Sequence, residues 1–468
     1  MWELLSAGLF SLGKPAIAAT GLTTATATSW TDVATGIAQV GHTVPAQVAQ
    51  LPDPRLEQLV QTYLQRLADR GLSASQQGVW VQVGTTPIAA HLGQVALPAA
   101  SLTKVATTLA ALSTWGPDHR FPTLVGYTGR LNQGVLNGDL VVYSTGDPLF
   151  VWEEAIALGN TLQAAGIQTV RGRLLVTPAF TMNFNPDPQA AANLLRQSLD
   201  ASQWSTTITA QHATLPPNTP RPRLVITGGT GVIPGNSAVV QQATPIVQHD
   251  SLALAVILKS MNVYSNNEMS EQVARLLGGA DRVAATAAQM TDMPQQTIRL
   301  INGSGLGEEN RLAAQTVVEM LIEIQGLLAE PELTIADLFP VSGRDQGTLI
   351  YRAIPTAAAV KTGTLNTVSA LAGALPTRDR GVVWFALINR GTDIEGLRAE
   401  QDRFLQDVQQ FWGAAQPIPA DIQPKLNANG DRLGNSQRNQ ILAPAQPTSL
   451  RHYLSDDPTA ADHDRLVF

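Results

Sequence analysis

An α+β fold interrupted by a β-rich inserted domain is what the sequence predicts, and three observations predict it. Strand-like segments and a helix come first, a proline-punctuated stretch of short strands follows, and helices mixed with strands return near the end. The 468 residues exceed what one ordinary core holds, so two or three domains are expected. A composition of 44% hydrophobic and 14% charged residues suits a globular chain with a large interior.

Taken in order, Leu56, Leu59, Val60, Tyr63, Leu64 and Leu67 recur at the spacing of an amphipathic helix over 55–67. Residues 78–84 and 87–91 read as two strands joined by Gly84-Thr85-Thr86, and a helix follows over roughly 101–113. Further strands are expected near 122–127 and 139–143, a helix over 153–165, and one strand over 168–176. Residues 177–248 mix short strands with proline clusters such as Pro216-Pro217-Asn218-Thr219-Pro220. Helical periodicity returns over 250–261, 267–277 and 313–327, the last capped by Gly326. Strands at 358–360, 367–374 and 382–389 precede a final helix over 397–413. The expected division is therefore a lead-in at 1–49, a first catalytic segment at 50–127, an inserted domain at 128–245, and a second catalytic segment at 246–415. Residues 416–468, rich in Pro, Ala, Gln, Asn and Asp, are expected to be a disordered tail.

Residues 4–13 are apolar but too few to cross a bilayer as a helix. Ala16-Ile17-Ala18 offers a cleavage pattern for a signal peptidase, although Glu3 stands where a basic start is usual. Export to the periplasm or cell envelope is expected, with the segment either cleaved or retained as a peripheral membrane anchor; the alternative is a short packed helix. A net charge of -7 argues against nucleic acid as a partner. With no cysteine, disulfides, thiolate metal sites and a cysteine nucleophile are excluded.

Three short motifs carry the chemistry. In Ser101-Leu102-Thr103-Lys104 the serine and lysine lie three apart on one helix face. The serine stands at a helix N-terminus, where free backbone N–H groups and the dipole favour developing negative charge. A lysine desolvated there loses its proton more readily and can serve as a base. Alone, this pattern recurs by accident; Ser11-Leu12-Gly13-Lys14 is a second copy. In Ser265-Asn266-Asn267 a hydroxyl can relay a proton and an amide can bind either a substrate amide or the lysine. The ordinary reading is a Ser/Asn turn or cap, and Ser260-Met261-Asn262 also matches. Ser265 is preferred because it begins a new helix, while Ser260 continues an apolar one. In Lys361-Thr362-Gly363-Thr364 a lysine and a hydroxyl on a strand can hold a carboxylate, and Gly363 lets a ligand approach the backbone. An ordinary hairpin with a surface lysine is the alternative.

Together the motifs weigh more than they do singly. Only five lysines occur among 30 basic residues, and two of them fall where an amine is required. Arginine could not replace them as a base. The order Ser-x-x-Lys, Ser-x-Asn, Lys-Thr-Gly resembles that of β-lactamases and penicillin-binding proteins. Over roughly 50–415 the chain resembles the D-alanyl-D-alanine carboxypeptidase/endopeptidase family of low-molecular-mass penicillin-binding proteins with an inserted domain. Leu97-Pro98-Ala99-Ala100 before the serine, Gly146-Asp147-Pro148-Leu149, Asn262-Val263-Tyr264 before Ser265, Asn302-Gly303-Ser304-Gly305-Leu306 and 340–349 carry the likeness. Ser144 stands where the family commonly has glycine, Gln346 is an extra residue, and the spacing from Lys104 to Ser265 makes no room for a further subdomain.

The resemblance implies a five-stranded antiparallel sheet sandwiched by helices, with the site beside the strand that bears Lys361. It implies a serine hydrolase acting on peptidoglycan peptides that end in D-Ala-D-Ala, through an acyl-enzyme that penicillins also form. Ser101 would be the nucleophile, Lys104 its base and Ser265 the proton relay. Asn267 would hold a substrate amide, and Lys361 and Thr362 the terminal carboxylate. Backbone N–H groups of Ser101 and Thr364 would form the oxyanion hole. No cofactor is expected. Cross-link endopeptidase action fits the same residues; a β-lactamase or esterase on this fold, or a non-catalytic wall-binding scaffold, are the competing readings.

Overall fold

The computed structural model describes residues 53–330, 332–426, 432–442 and 450. The expectation of a signal-like or anchor segment at 1–49 lies outside the described residues, as does most of the tail.

Helix α1 (Pro54–Asp69) begins at Asp53, whose side chain accepts from the Arg55 N–H, with Pro54 at its first position. Strands β1 (Gln77–Val83) and β2 (Thr86–His91) form a hairpin. A 3₁₀ turn, Ala100–Leu102, leads into helix α2 (Thr103–Trp115), buried on nearly every side. After the insert come α3 (Leu254–Tyr264), α4 (Asn267–Leu276), α5 (Ala280–Thr291) and α6 (Ala314–Leu327). Strands β3 (Ala359–Leu365), β4 (Val368–Thr377) and β5 (Gly381–Arg390), then helix α7 (Ile394–Trp412), close the domain.

The five strands form one antiparallel sheet in the order β3-β4-β5-β1-β2. Period-two alternation divides its side chains between two cores. Leu371, Val383, Phe385 and Leu387 pack with α1 and α7, through Tyr63, Leu397 and Phe404. Ala370, Ala372, Trp384, Ala386 and Ile388 face α2, α3 and α6 on the other side. The sheet thus pairs segments far apart in sequence, Gln77 with Asn389 for one, and β3 lies at its edge. The start of that edge is covered: Val360 N–H donates to Pro340 O and Ser342 N–H to Ala358 O. Farther along, residue 363 meets the Ser101 turn.

Strands Pro122–Tyr127 and Thr244–Asp250, at the expected borders of the insert, pair with each other inside a six-stranded sheet. The single strand expected over 168–176 is two, Thr169–Val170 and Leu174–Val176, in separate sheets. The break falls at Gly172, where a Cβ would meet Gly138 O at 2.3 Å. Helix Pro188–Ser198 stands in a segment read only as strands and prolines; its N-cap Asp187 and first-position Pro188 are start signals masked by that proline content. Gly326 does not cap α6, which continues through Leu327. Residues 439–441, within the stretch expected to be disordered, form a strand against Thr244–Asp250.

Candidate active site

Ser101 sits in the 3₁₀ turn ahead of α2, partly exposed, and the turn is held from both sides. Ala100 takes φ 47°, a left-handed conformation that costs a non-glycine residue free energy unless its surroundings fix it. Two glycines supply those surroundings. A Cβ on Gly305 would lie 2.0 Å from Ala100 O. One on Gly363 would lie 2.9 Å from Ala99 O and 3.0 Å from Ser101 N. The bare glycine lets the backbone of the Ser101 turn dock on β3.

Three residues on, at the second position of α2, Lys104 is fully buried. Its Nζ lies 3.2 Å from Ser101 Oγ and donates to Asn267 Oδ1 at 2.8 Å and Ser304 O at 2.7 Å. Every one of these partners is neutral. Burial therefore holds the Lys104 amine down to about 7 from its ordinary value, while Glu271 and Glu268 pull the other way. Glu271 reaches the lysine indirectly. Its carboxylate accepts from the N–H groups of Gly303 and Ser304, and that loop's Ser304 carbonyl meets Nζ. Sequence reading assigned no role to Glu271 or Ser304; their signals were the stretch Asn262–Glu271 around the second motif and the Asn302–Leu306 signature.

Ser265 does not begin a helix as expected. It ends α3 in the left-handed conformation (φ 52°, ψ 40°), and Asn266 caps α4 by accepting from Met269 N–H. This break lets Ser265 and Asn267 face the cleft from two helices. Lys361 is fully buried, and its Nζ donates to Ser265 Oγ at 2.9 Å and Thr362 O at 2.7 Å. Burial, aided by the charge of Lys104, pushes its amine well below the ordinary lysine range. Asn267 thus touches the first motif's lysine, and Lys361 touches the second motif's serine. Thr362 is buried, and Thr364 is exposed at the end of the motif.

The three motifs, separated by up to 260 residues, thus converge on one cleft, in two serine–lysine pairs, Ser101–Lys104 and Ser265–Lys361. A cavity of about 240 Å³ continues from Asn267 between Glu268, Glu271, Arg275 and Leu306 and the insert residues Phe184–Pro186. Among the described residues no group of three or more His, Asp or Glu could hold a metal ion. No described helix is long and apolar enough to cross a membrane. The arrangement can activate one hydroxyl with a neutral amine and set a second hydroxyl beside it.

Comparison with known proteins gives consistent matches. The profile of the D-Ala-D-Ala carboxypeptidase 3 (S13) family matches residues 59–210 and 226–409. Carboxypeptidase DacB of Mycolicibacterium smegmatis is 27% identical over 342 residues, covering 65% of this chain and 74% of that protein. D-alanyl-D-alanine carboxypeptidase DacB of Haemophilus influenzae is 25% identical over 392 residues, covering 63% and 80%. Among solved structures, the penicillin G-acylated predatory endopeptidase Bd3459 of Bdellovibrio bacteriovorus, in complex with an immunity protein, shares the fold with a TM-score of 0.57 at 20% identity, covering 74% of this chain and 97% of that one. Penicillin-binding protein 4 of Haemophilus influenzae, complexed with a β-lactam, matches with a TM-score of 0.56 at 19% identity, covering 76% and 99%.

Proposed function

Since the chain belongs to the D-Ala-D-Ala carboxypeptidase 3 (S13) family, we propose that its Ser101 hydrolyses the terminal bond of peptidoglycan peptides ending in D-Ala-D-Ala through an acyl-enzyme. The observation that carries this assignment is the buried Lys104 amine, 3.2 Å from Ser101 Oγ and bonded to neutral groups alone. Uncharged, Nζ takes the Ser101 proton as Oγ adds to the carbonyl carbon. The N–H groups of Ser101 and Thr364, on the turn and strand that Gly363 brings together, receive the oxyanion. As the C–N bond breaks, the proton held by Lys104 passes through the Ser265 hydroxyl to the departing D-alanine, which leaves Lys104 neutral again, while Lys361 orients that hydroxyl through the 2.9 Å contact. Water then attacks the ester as Lys104 takes its proton, and that proton returns to Ser101 Oγ as the acid departs.

The same acylation accounts for reaction with β-lactams, whose ring amide leaves no separate product. Cross-link endopeptidase action uses the same steps on a different leaving amine. Because such peptides lie outside the cytoplasm, an exported location follows from the substrate, with the apolar stretch at 4–13 as leader or peripheral anchor.

Intact-protein mass spectrometry after penicillin treatment, together with assay of released D-alanine, tests the reading. Wild type is expected to gain one penicilloyl group and to release D-alanine, and Ser101→Ala to do neither. An adduct that persists in the variant removes Ser101 from the nucleophile's role.

A further inference from the structure

We infer that Glu271 is a positioning residue for the reaction: its carboxylate fixes the loop 302–306 so that this loop sets both the nucleophile's turn and its base. The inference rests on the function proposed above and adds a residue to it. Glu271 lies on α4, one turn beyond Asn267. Its oxygens accept from two consecutive backbone donors, Ser304 N–H to Oε1 at 2.9 Å and Gly303 N–H to Oε2 at 3.2 Å. A carboxylate suits this task because it offers two acceptors and no donor.

Held in this way, the loop meets α2 and the turn ahead of it at three points. Ser304 O accepts from Lys104 Nζ at 2.7 Å. Gly303 O accepts from the Thr107 hydroxyl, farther along α2, at 2.9 Å. Gly305 packs so tightly on Ala100 O that no Cβ fits between them, and Ala100 is the left-handed residue just before Ser101. Displacement of the loop therefore reaches both members of the Ser101–Lys104 pair, and small misplacements of reacting groups are costly. Asn302 and Asn310 shape the loop from within, through Gly305 N–H at 2.8 Å and Ile301 N–H at 2.9 Å. Ser270 and Glu271 tie it to α4, and of these two only Glu271 brings charge. That charge also acts on Nζ through space. Burial lowers the Lys104 amine, Glu271 opposes this more than Glu268 does, and Lys361 is the basic group that faces it from β3.

The test follows the penicillin acylation rate against pH in the full chain, for wild type, Glu271→Gln, Glu271→Asp and Glu268→Gln. Glutamine keeps the length but has one acceptor oxygen, so one loop N–H faces an amide NH₂. For Glu271→Gln the plateau rate above the inflection is expected to fall about tenfold. The inflection is expected to move to lower pH, because the lost carboxylate favoured the protonated amine. Glu271→Asp keeps the charge on a shorter side chain, and should lower the plateau while leaving the inflection near that of wild type. Glu268→Gln removes a charge that holds no loop N–H, and should move the inflection the same way with a smaller loss of rate. A wild-type plateau in Glu271→Gln overturns the assignment, as does a lowered plateau with an unmoved inflection, which a merely structural role would give. If the glutamine variant does not fold, Glu271→Asp decides: a lowered plateau in its folded fraction supports the assignment, and a wild-type plateau overturns it. A wild type that forms no penicilloyl adduct overturns instead the acyl-enzyme reading beneath it.

Discussion

In the cleft, the amine of Lys104 is surrounded by a hydroxyl, a side-chain amide oxygen and a backbone carbonyl. Where the insert meets residues 432–442, the Arg438 guanidinium meets the Glu154 carboxylate and donates to Asp250 O at 2.8 Å. His249, 3.8 Å from Glu154, is held below its usual range by burial. Both places bury basic groups almost completely, but the seam sets a carboxylate against its cation, while in the cleft Glu271 and Glu268 act on Lys104 only from beyond its neutral partners. Lys259, only five residues from Tyr264 on the same helix, is also drawn below its ordinary range by burial, but there Asp345, 2.6 Å from its Nζ, pulls the other way through a direct ion pair. A paired charge stays ionised and holds elements together. A buried amine with neutral partners is poised to lose its proton, which is what a base needs and what a strut does not.

Substitutions in the cleft and in the seam break or sharpen this contrast. Ser101→Ala is expected to lower D-alanine release by roughly 10⁴-fold or more, with no change in the seam's stability. Lys104→Arg is expected to be as inactive as Lys104→Ala, each down about 10³-fold in the rate of penicillin acylation, because guanidinium keeps its proton. Substantial activity in the arginine variant would assign the cleft to the same structural class as the seam. Arg438→Ala leaves Glu154 buried without its partner and is expected to cost about 3 kcal/mol in denaturant unfolding, with kcat unaltered in the folded fraction. The double variant Arg438→Met with Glu154→Leu is expected to regain most of that loss; if it does not, the pair does more than cancel its own burial. Gly363→Ala is expected to slow acylation about tenfold, since its Cβ would press on Ala99 O and Ser101 N and shift the nucleophile. A normal acylation rate in this variant would show that the Ser101 turn tolerates the displacement.

How much of this could be read from the sequence depended on the range of the interaction. Ser101 and Lys104 declare themselves because three residues on a helix fix their proximity, and the flanking periodicity located the sheet strands to within a few residues. Gly363 was legible as a glycine but not in its purpose, since its neighbour is backbone 264 residues away in sequence. The Ser304 carbonyl on Lys104 has no side-chain signature at all. Ala100 looks unremarkable, and only the fold reveals its left-handed backbone. Arg398 lies on the final helix expected over 397–413, and its nearness to Thr364 follows from how α7 crosses the sheet. Arg438 was hidden by composition: its polar surroundings resemble disorder until Asn439–Ile441 are seen paired with the insert.

The central claim is that the Lys104 amine is deprotonated near neutral pH. With five lysines in the chain, ¹⁵Nζ labelling and an NMR titration can follow each one, and Lys104→Arg identifies the signal that belongs to residue 104. Its folded-state value is depressed to about 7, so it should carry a proton below that pH and release it as pH rises through 7. The penicillin acylation rate should climb over the same interval and level off above it. A Lys104 signal that stays protonated up to pH 9, with acylation unchanged between pH 6 and 8, would contradict the account.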